Sequence, residues 1–437
     1  NDWVGCLGGH PQAKTPNIDR LAKMGTLFAN GHCQSPVCNP SRASMMTGRY
    51  PHTTGIYFLS PDLEAAPVLK DVQTLPEVFA ENGYQTMAAG KIFHRGDKRF
   101  FQEYLSTGGF GPRPNKKISQ PHGHPLWDWG IFPDDDNLMP DMKCAKWAIE
   151  QLKKKHDKPF FMGVGFYRPH VPMYATKKWF DMHPREKIKL PLVQKNDRKD
   201  LSQYAIDLTN LNHVSPTHKW VSEAGQWDHA VQSYLASVTF ADHCLGLVLD
   251  ALESSAYGNN TVTALFSDHG FHLGEKERWA KRSLWEDGTR VPIIVTAPGY
   301  KKDQRSERPA ELLDVFPTLL ELAGLPADSS QEGQSLVPLM KNPKREWNHP
   351  AITSFGLGNY SVRTTRYRFI QYFDGSRELY DLSKDPHEWK NLAADPKNKS
   401  IIEEHAAHLP KKQHPILPGR STGHAAYGAA NANIKKD

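Results

Sequence analysis

Cys38 and Arg42 stand four residues apart in Ser35-Pro36-Val37-Cys38-Asn39-Pro40-Ser41-Arg42-Ala43-Ser44, which runs on to Thr47-Gly48-Arg49-Tyr50-Pro51-His52. If a helix starts here, one turn separates the two side chains, and the guanidinium beside the cysteine can pair with oxygens that gain charge in a transition state. Gly90-Lys91-Ile92-Phe93-His94 directly follows a short apolar run, Tyr84 to Ala89. That is where α/β sheets display functional side chains. Tyr167-Arg168-Pro169-His170-Val171-Pro172 lies just past the run Pro159 to Val164, and Ser267-Asp268-His269-Gly270 follows the run Thr261 to Phe266. Trp279-Ala280-Lys281-Arg282 comes soon after. Each motif also has a plainer reading. A free cysteine is commonly a buried thiol, a Lys and a His three apart a solvated pair, and Asp-His-Gly a strand-to-loop turn with a capping aspartate.

The elements that must position these residues alternate along the chain. Thr15 to Gly25 reads as a helix with a Thr-Pro start and a Gly stop, and Leu75 to Asn82, closed by Gly83, as a second. Strands are expected at 84–89, 159–164, 261–266 and 291–296, with a long amphipathic helix over 226–254 and another over 312–322. Such alternation predicts an α/β fold with a large, mostly parallel sheet flanked by helices over 1–342. Beyond Asn342 the texture changes to short strand-like pieces at 350–354, 361–365, 368–373 and 378–381, followed by a helix near 396–408. This reads as a small C-terminal antiparallel sheet plus helix over 343–410. Residues 411–437 lack periodicity and read as an extended or disordered tail. The irregular stretches 95–140 and 172–225 are long enough to be walls of a site, and their Trp127, Trp129, Trp179 and Trp220 are candidates to stack on sugar rings.

Composition narrows the function classes. The 437 residues carry a net charge of +6 spread along the chain, without the clustered basic stripe of a nucleic-acid binder. Mean hydropathy is −0.61, and no run approaches the roughly 18 consecutive apolar residues of a membrane span. Five cysteines without a CxxC pair indicate neither a disulfide scaffold nor a zinc cluster, which leaves one free for a separate role.

Cys-x-Pro-Ser-Arg followed by Thr-Gly-Arg resembles the signature of the type I sulfatases of the alkaline-phosphatase superfamily. The likeness extends from Gly5 to about Leu392, through Glu311-Leu-Leu-Asp-Val-Phe-Pro-Thr-Leu-Leu and Leu379-Tyr-Asp-Leu-Ser-Lys-Asp-Pro. Lys91/His94, Arg-Pro-His-Val-Pro, Asp268-His269 and Trp-Ala-Lys281 are similar to the iduronate-2-sulfatase-like group. The resemblance implies that a maturation enzyme converts Cys38 to formylglycine, whose hydrated aldehyde attacks sulfur with one hydroxyl and expels sulfate with the other. It implies that Arg42, Lys91 and Lys281 hold the sulfate, His94 contacts the formylglycine hydroxyl, and His170 protonates the leaving alcohol. Cys38, Asp268 and His269 are implied as ligands of one calcium ion. His272 is equally a pocket-lining residue or bland surface, and the role of Arg282 stays open.

In that family two adjacent aspartates at the end of the first strand complete the metal site. This sequence opens Asn1-Asp2-Trp3, past that point, and Asp2 is displaced from the expected pair. The expectation is therefore weak calcium binding by the chain as given. The implied substrate is a sulfate ester on a sugar, such as a 2-O-sulfated uronic acid, and the implied compartment is periplasmic or secreted. A phosphodiesterase or phosphonate hydrolase shares the fold and stays open, because Lys91 and Lys281 around one small anion suit sulfate and phosphate alike. A non-catalytic glycan-binding relative is the third reading.

Overall fold

The computed structural model describes residues 2–210 and 214–434. In chain order, the elements that matter for the site begin with helix α1 (Pro16–Met24), strand β1 (Thr26–His32), helix α2 (Cys38–Thr47), helix α3 (Leu75–Glu81) and strand β2 (Gln85–Gly90). Strand β3 (Glu103–Leu105), helix α4 (Pro140–Lys153), strand β4 (Phe160–Gly165), helix α5 (Trp227–Glu253) and strand β5 (Thr263–Phe266) follow. Then come β6 (Ile293–Thr296), β7 (Gln304–Glu311), helix α6 (Val315–Leu322) and the strands β8 (Ala351–Ser354), β9 (Tyr360–Arg363), β10 (Tyr367–Gln371) and β11 (Arg377–Asp381). Helices α7 (Lys399–Ala406) and α8 (Thr422–Ile434) close the described chain.

Three sheets carry the architecture. One has the order β7-β1-β6-β5, the second β3-β2-β4, and the C-terminal one β8-β9-β10-β11. The α/β layering expected from the alternation is present. The β3-β2-β4 sheet is wholly parallel and β1 runs parallel to β7. Strand β6, however, runs antiparallel to both β1 and β5, so the larger sheet is mixed. Strands β1 (TLFANGH) and β7 (QRSERPAE) lie outside the strands expected from sequence, because neither is an apolar run. Their pairing with each other over 26–32 and 304–311 is what makes them strands.

Helix α5 is the longest element, and one 18-residue window of it has a mean hydropathy of 1.4, enough by length and composition to cross a membrane. No such stretch stood out in the sequence, since Thr239, Asp242 and His243 interrupt it. In the fold it is a core helix: Val231, Leu235, Phe240 and Leu249 are among its buried residues. Asp242 on its buried side accepts hydrogen bonds from the backbone N–H of Asn17 (3.1 Å) and Ile18 (2.7 Å), and so caps the start of α1 with a carboxylate.

Where composition suggests an extended or disordered tail, residues 422–434 form helix α8, while 411–421 carry no helix or strand. Helix α8 lies against the C-terminal sheet, with Tyr427 and Ala430 buried beside Phe58, Tyr204 and Phe355. Tyr427 Oη donates to Leu357 O at 2.9 Å and Tyr204 Oη donates to Asn431 Oδ1 at 2.7 Å. The helix is Ala-rich and has no strong apolar stripe, so its docking partners create it. Tyr427→Ala is expected to remove about 2–4 kcal/mol from this docking, and limited proteolysis should then cut beyond residue 411 at least tenfold faster while the rest of the chain resists.

The four tryptophans of the long irregular regions are core or near-core residues rather than sugar platforms. Trp127, Trp129 and Trp179 are buried, and Trp220 packs edge-on against Trp129 at 6.4 Å.

A buried carboxyl pair ties β7 to α2 and to the C-terminal sheet. Glu311 accepts from Tyr50 Oη (2.6 Å) and from Ile352 N–H (2.8 Å), while Asp314 accepts from Glu311 N–H (2.8 Å) and Gln334 N–H (2.7 Å). Burial, with Asp314 close by, pushes the Glu311 carboxyl up to about 8. Its unfolded value is about 4.3, so the fold favours the protonated form. That contribution is complete below about pH 4 and is lost progressively as pH rises towards 8. Glu311→Gln is expected to flatten the fall in melting temperature between about pH 5 and pH 8. Thermal melts of both proteins across that range check this, and parallel curves would refute it.

Candidate active site

The loops after β2, β4 and β5 and the start of α2 converge on one point. Val37 is extended and Cys38 is the first residue of α2, buried with nine of its ten residues packed inside the fold. Its Sγ therefore sits where the first-turn N–H groups and the positive helix end favour an anion. One turn on, Arg42 donates from Nε to Asp268 Oδ2 at 2.8 Å and from Nη1 to the carbonyls of Lys91 (2.6 Å) and Ile92 (2.7 Å). A single guanidinium thus ties helix α2 to two loops. Ser41 Oγ adds a bond to Asp268 O.

The lysines close on the sulfur. Lys281 Nζ lies 2.7 Å from Cys38 Sγ and 3.2 Å from His269 Nε2, which itself lies 3.2 Å from the sulfur. His269 Nδ1 faces its neighbour's carbonyl, Gly270 O, at 2.8 Å. That carbonyl accepts the Nδ1 proton, so Nε2 is the nitrogen turned into the site. Lys91 is buried with Nζ 5.6 Å from the Phe110 ring centre, and Phe110 stacks on His170 at 4.5 Å. His170 Nδ1 is bonded to Val171 O at 2.6 Å, so its Nε2 is free to reach Cys38, with which it hydrogen-bonds. His94 contributes a half-buried ring whose Nδ1 has no hydrogen-bond partner.

Charge follows geometry. Burial alone would push the Cys38 thiol up, yet Lys281, Lys91 and His269 outweigh it and hold the group well below its usual range. Against the same burial, Arg42 and His269 keep the Asp268 carboxyl far below the ordinary carboxylate range. Burial, helped by Lys281, pushes His170 down to about 4, and burial pushes His94 down to about 4. The site is thus a cationic, largely dry pocket around residue 38, built to receive an anion.

Sequence motifs alone did not flag the residues that aim these groups. Asp97 accepts from the N–H groups of Ile92 (2.9 Å) and Phe93 (2.6 Å) and so shapes the Lys91–His94 loop. Asp141 of α4 accepts from Tyr167 (2.9 Å) and Arg168 (2.8 Å) and fixes the approach to His170. Gly90 has φ 78°, and a Cβ there would stand 2.1 Å from Gly165 O and 2.5 Å from Cys144 Sγ. Only glycine lets β2 deliver Lys91 so close to β4.

One expectation comes out differently, while Asp2 lies, as expected, outside the metal-ligand set. His272 does not line the pocket: it is fully buried, with Nε2 2.6 Å from Ser283 Oγ and the ring edge-on to Trp285. It has no surface to offer a substrate. Asp2 stands apart from the Cys38–Asp268–His269 cluster and instead pairs with Arg290 at 3.1 Å.

Cys38 Sγ, Asp268 and His269 offer three donor atoms within 4.8 Å of one another. Calcium takes about six to eight oxygen ligands. Among the described residues this cluster brings one carboxylate, one imidazole nitrogen and one sulfur, with two cations at its edge. That donor set does not by itself fit a hard cation, so no chemical step is routed here through a metal.

An α/β fold whose strand ends and helix N-terminus gather a buried reactive side chain, two lysines and an arginine defines a hydrolase of anionic esters. The sequence matches the family described as Sulfatase over residues 2–325, and the family described as N-sulphoglucosamine sulphohydrolase, C-terminal, over residues 274–414. It is 41 % identical to a sulfatase of Formosa agariphila, covering 94 % of this chain and 84 % of the relative. It is 28 % identical to a Delta 4,5-hexuronate-2-O-sulfatase of Bacteroides thetaiotaomicron, covering 92 % and 84 %. A crystal structure described as a putative sulfatase, also from Bacteroides thetaiotaomicron, superposes with a TM-score of 0.71 at 25 % identity over 93 % of this chain and 88 % of the other. The chain belongs to the sulfatase family and is a sulfuric ester hydrolase.

Proposed function

We propose that the protein hydrolyses a sulfate ester at the 2-position of a uronic acid in a sulfated carbohydrate, with residue 38 as the nucleophile after conversion of its cysteine to formylglycine by a maturation enzyme. The observation that carries this reading is the placement of Cys38. It is buried at a helix N-terminus with Lys281 Nζ 2.7 Å and His269 Nε2 3.2 Å from its sulfur. The activity for which the hexuronate-2-O-sulfatase relative is named supports the choice of sugar and position.

When present, an aldehyde hydrate at residue 38 supplies two hydroxyls, one to bond sulfur and one whose deprotonation expels sulfate. The remaining work falls to the chain's own side chains. Lys91 and Lys281 neutralise the equatorial oxygens of the sulfate, whose charge grows as the ester bond breaks. Arg42 holds Asp268 beside residue 38, where its carboxylate can accept the proton that leaves the attacking hydroxyl. His94 takes the second hydroxyl as a hydrogen-bond partner through its free ring nitrogen. His170, its Nδ1 fixed on Val171 O, directs Nε2 at the bridging oxygen; the negative charge of a bound sulfate favours a proton taken up there from solvent, which the departing alcohol then accepts. Closure of the pocket by Phe110 against Lys91 and His170 keeps water from competing with these contacts.

The test is release of inorganic sulfate from matched disaccharides after co-expression with a formylglycine-generating enzyme, with peptide mass analysis of residue 38. Sulfate should be freed from 2-O-sulfated uronates and not from 6-O-sulfated hexosamines. Cleavage of aryl phosphodiesters with no carbohydrate sulfatase activity would overturn the reading and favour a phosphodiesterase.

A further inference from the structure

Beside the sulfate-facing lysine stands a second buried cation that the chemistry above does not use. Arg282 immediately follows Lys281, and its backbone N–H donates to Pro36 O (3.1 Å), two residues before Cys38. Ala280 and Arg282 have φ of 78° and 75°. These are two non-glycine residues in the left-handed region within three positions, a backbone conformation that L side chains rarely adopt. Arg278 enforces the reversal, donating to the carbonyls of Lys281 (2.7 Å), Arg282 (3.4 Å) and Thr209 (2.6 Å). Strain of this kind persists where the surrounding structure holds a side chain in a required direction.

The Arg282 side chain is 3 % exposed. Its Nη2 donates to Thr422 Oγ1 (2.7 Å) at the first residue of α8, and its Nη1 is buried with no hydrogen-bond partner. Among the described residues no carboxylate forms an ion pair with it. A buried guanidinium lacking a counter-charge is expensive, and its planar fork matches a carboxylate. Burial pushes Arg282 down to about 10, and the negative charge at Cys38 partly offsets that, which places the guanidinium within electrostatic reach of the reacting residue.

We propose that Arg282 forms the floor of a second anion subsite that takes the carboxylate of the same sugar ring whose sulfate Lys281 holds. Consecutive Cα atoms are about 3.8 Å apart, so Lys281 and Arg282 serve two groups of one small ligand. The inference rests on the reading that the substrate is a sulfated uronate, and it assigns recognition of the uronate to this chain's own strained arginine. Thr422 then acts as a positioning residue that links helix α8 to substrate choice.

Calorimetric titration tests it in a Cys38→Ala background, where turnover cannot blur binding. The two probes are a 2-O-sulfated glucuronoside and its carboxyl-reduced 2-O-sulfated counterpart. The Cys38→Ala protein should bind the carboxylate-bearing probe at least tenfold more tightly. Adding Arg282→Gln should bring that ratio within twofold of one, while Arg282→Lys should retain part of it. Equal affinity for the two probes, or an undiminished ratio in Arg282→Gln, overturns the subsite and leaves the sulfated-sugar reading standing. If neither probe binds, both the subsite and the uronate reading fail. Should Arg282→Gln not fold, Thr422→Val, which frees Nη2, is expected to reduce the ratio at least threefold, and an unchanged ratio there overturns the proposal as well.

Discussion

Replacing Cys38 by alanine is expected to lower kcat/KM for carbohydrate sulfate hydrolysis by about 10^4-fold or more, because it removes the nucleophile and leaves only the binding groups of the pocket. The fold should survive the change. Sγ is small, and its partners Lys281 and His269 also contact each other, so the melting temperature is expected to move by only a few degrees. Cys38→Ser sharpens the result. A serine can attack sulfur but has no second hydroxyl with which to expel sulfate, so the enzyme should release one equivalent of alcohol and stall as a sulfate ester. Intact mass would show the adduct as a gain of about 80 Da. Steady turnover by the serine variant would mean that residue 38 is not the nucleophile and that the anion pocket serves another group.

The second large effect is expected at Arg42, where one change strikes both stability and chemistry. Its guanidinium pairs with Asp268 at 2.8 Å and ties down the carbonyls of Lys91 and Ile92. Arg42→Leu leaves a buried carboxylate without its counter-charge, which costs about 3–5 kcal/mol. It also frees the loop that carries Lys91 and His94. Asp268, left with His269 and Lys91, should move up towards the ordinary carboxylate range and lose the contact that orients it beside residue 38. Denaturant melts should show the lost stability, and kcat/KM should fall by at least about 10^3-fold. Arg42→Lys restores charge without the fork and should recover part of the stability while leaving Lys91 and Ile92 unbonded. Full activity in Arg42→Leu would refute this account of the site.

The approach to the reacting centre also depends on groups that bear no charge in the reaction. Asp97 and Asp141 accept backbone N–H bonds at 2.6–2.9 Å and so freeze the two loops that present Lys91 and His170. Burial pushes both carboxyls up, and the backbone donors pull them back. Their work is positional, fixing directions that the motifs themselves leave free.

The candidate site residues were legible in the sequence before the fold was seen. Cys38, Arg42, Lys91, His94, His170, Asp268, His269 and Lys281 come from five separate stretches, and the structure brings them to one point, because each follows a strand or opens a helix whose apolar run or turn residues are local and readable. The α/β alternation and the C-terminal antiparallel sheet were legible for the same reason. What only the tertiary structure decided were features created by contact. Strands β1 and β7 have no apolar period of their own and become strands by pairing with each other. Helix α8 looks like a tail until Tyr427 and Ala430 find a core. Trp127, Trp129 and Trp179 become core and His272 becomes a buried partner of Ser283, because exposure is a property of neighbours far along the chain. Arg282 was one more basic residue after a lysine until its left-handed backbone, its burial and its unpaired Nη1 gave it a direction. Residue type and local period are written in the sequence; burial, strain and the pairing of charges are long-range, and only the folded chain fixes them.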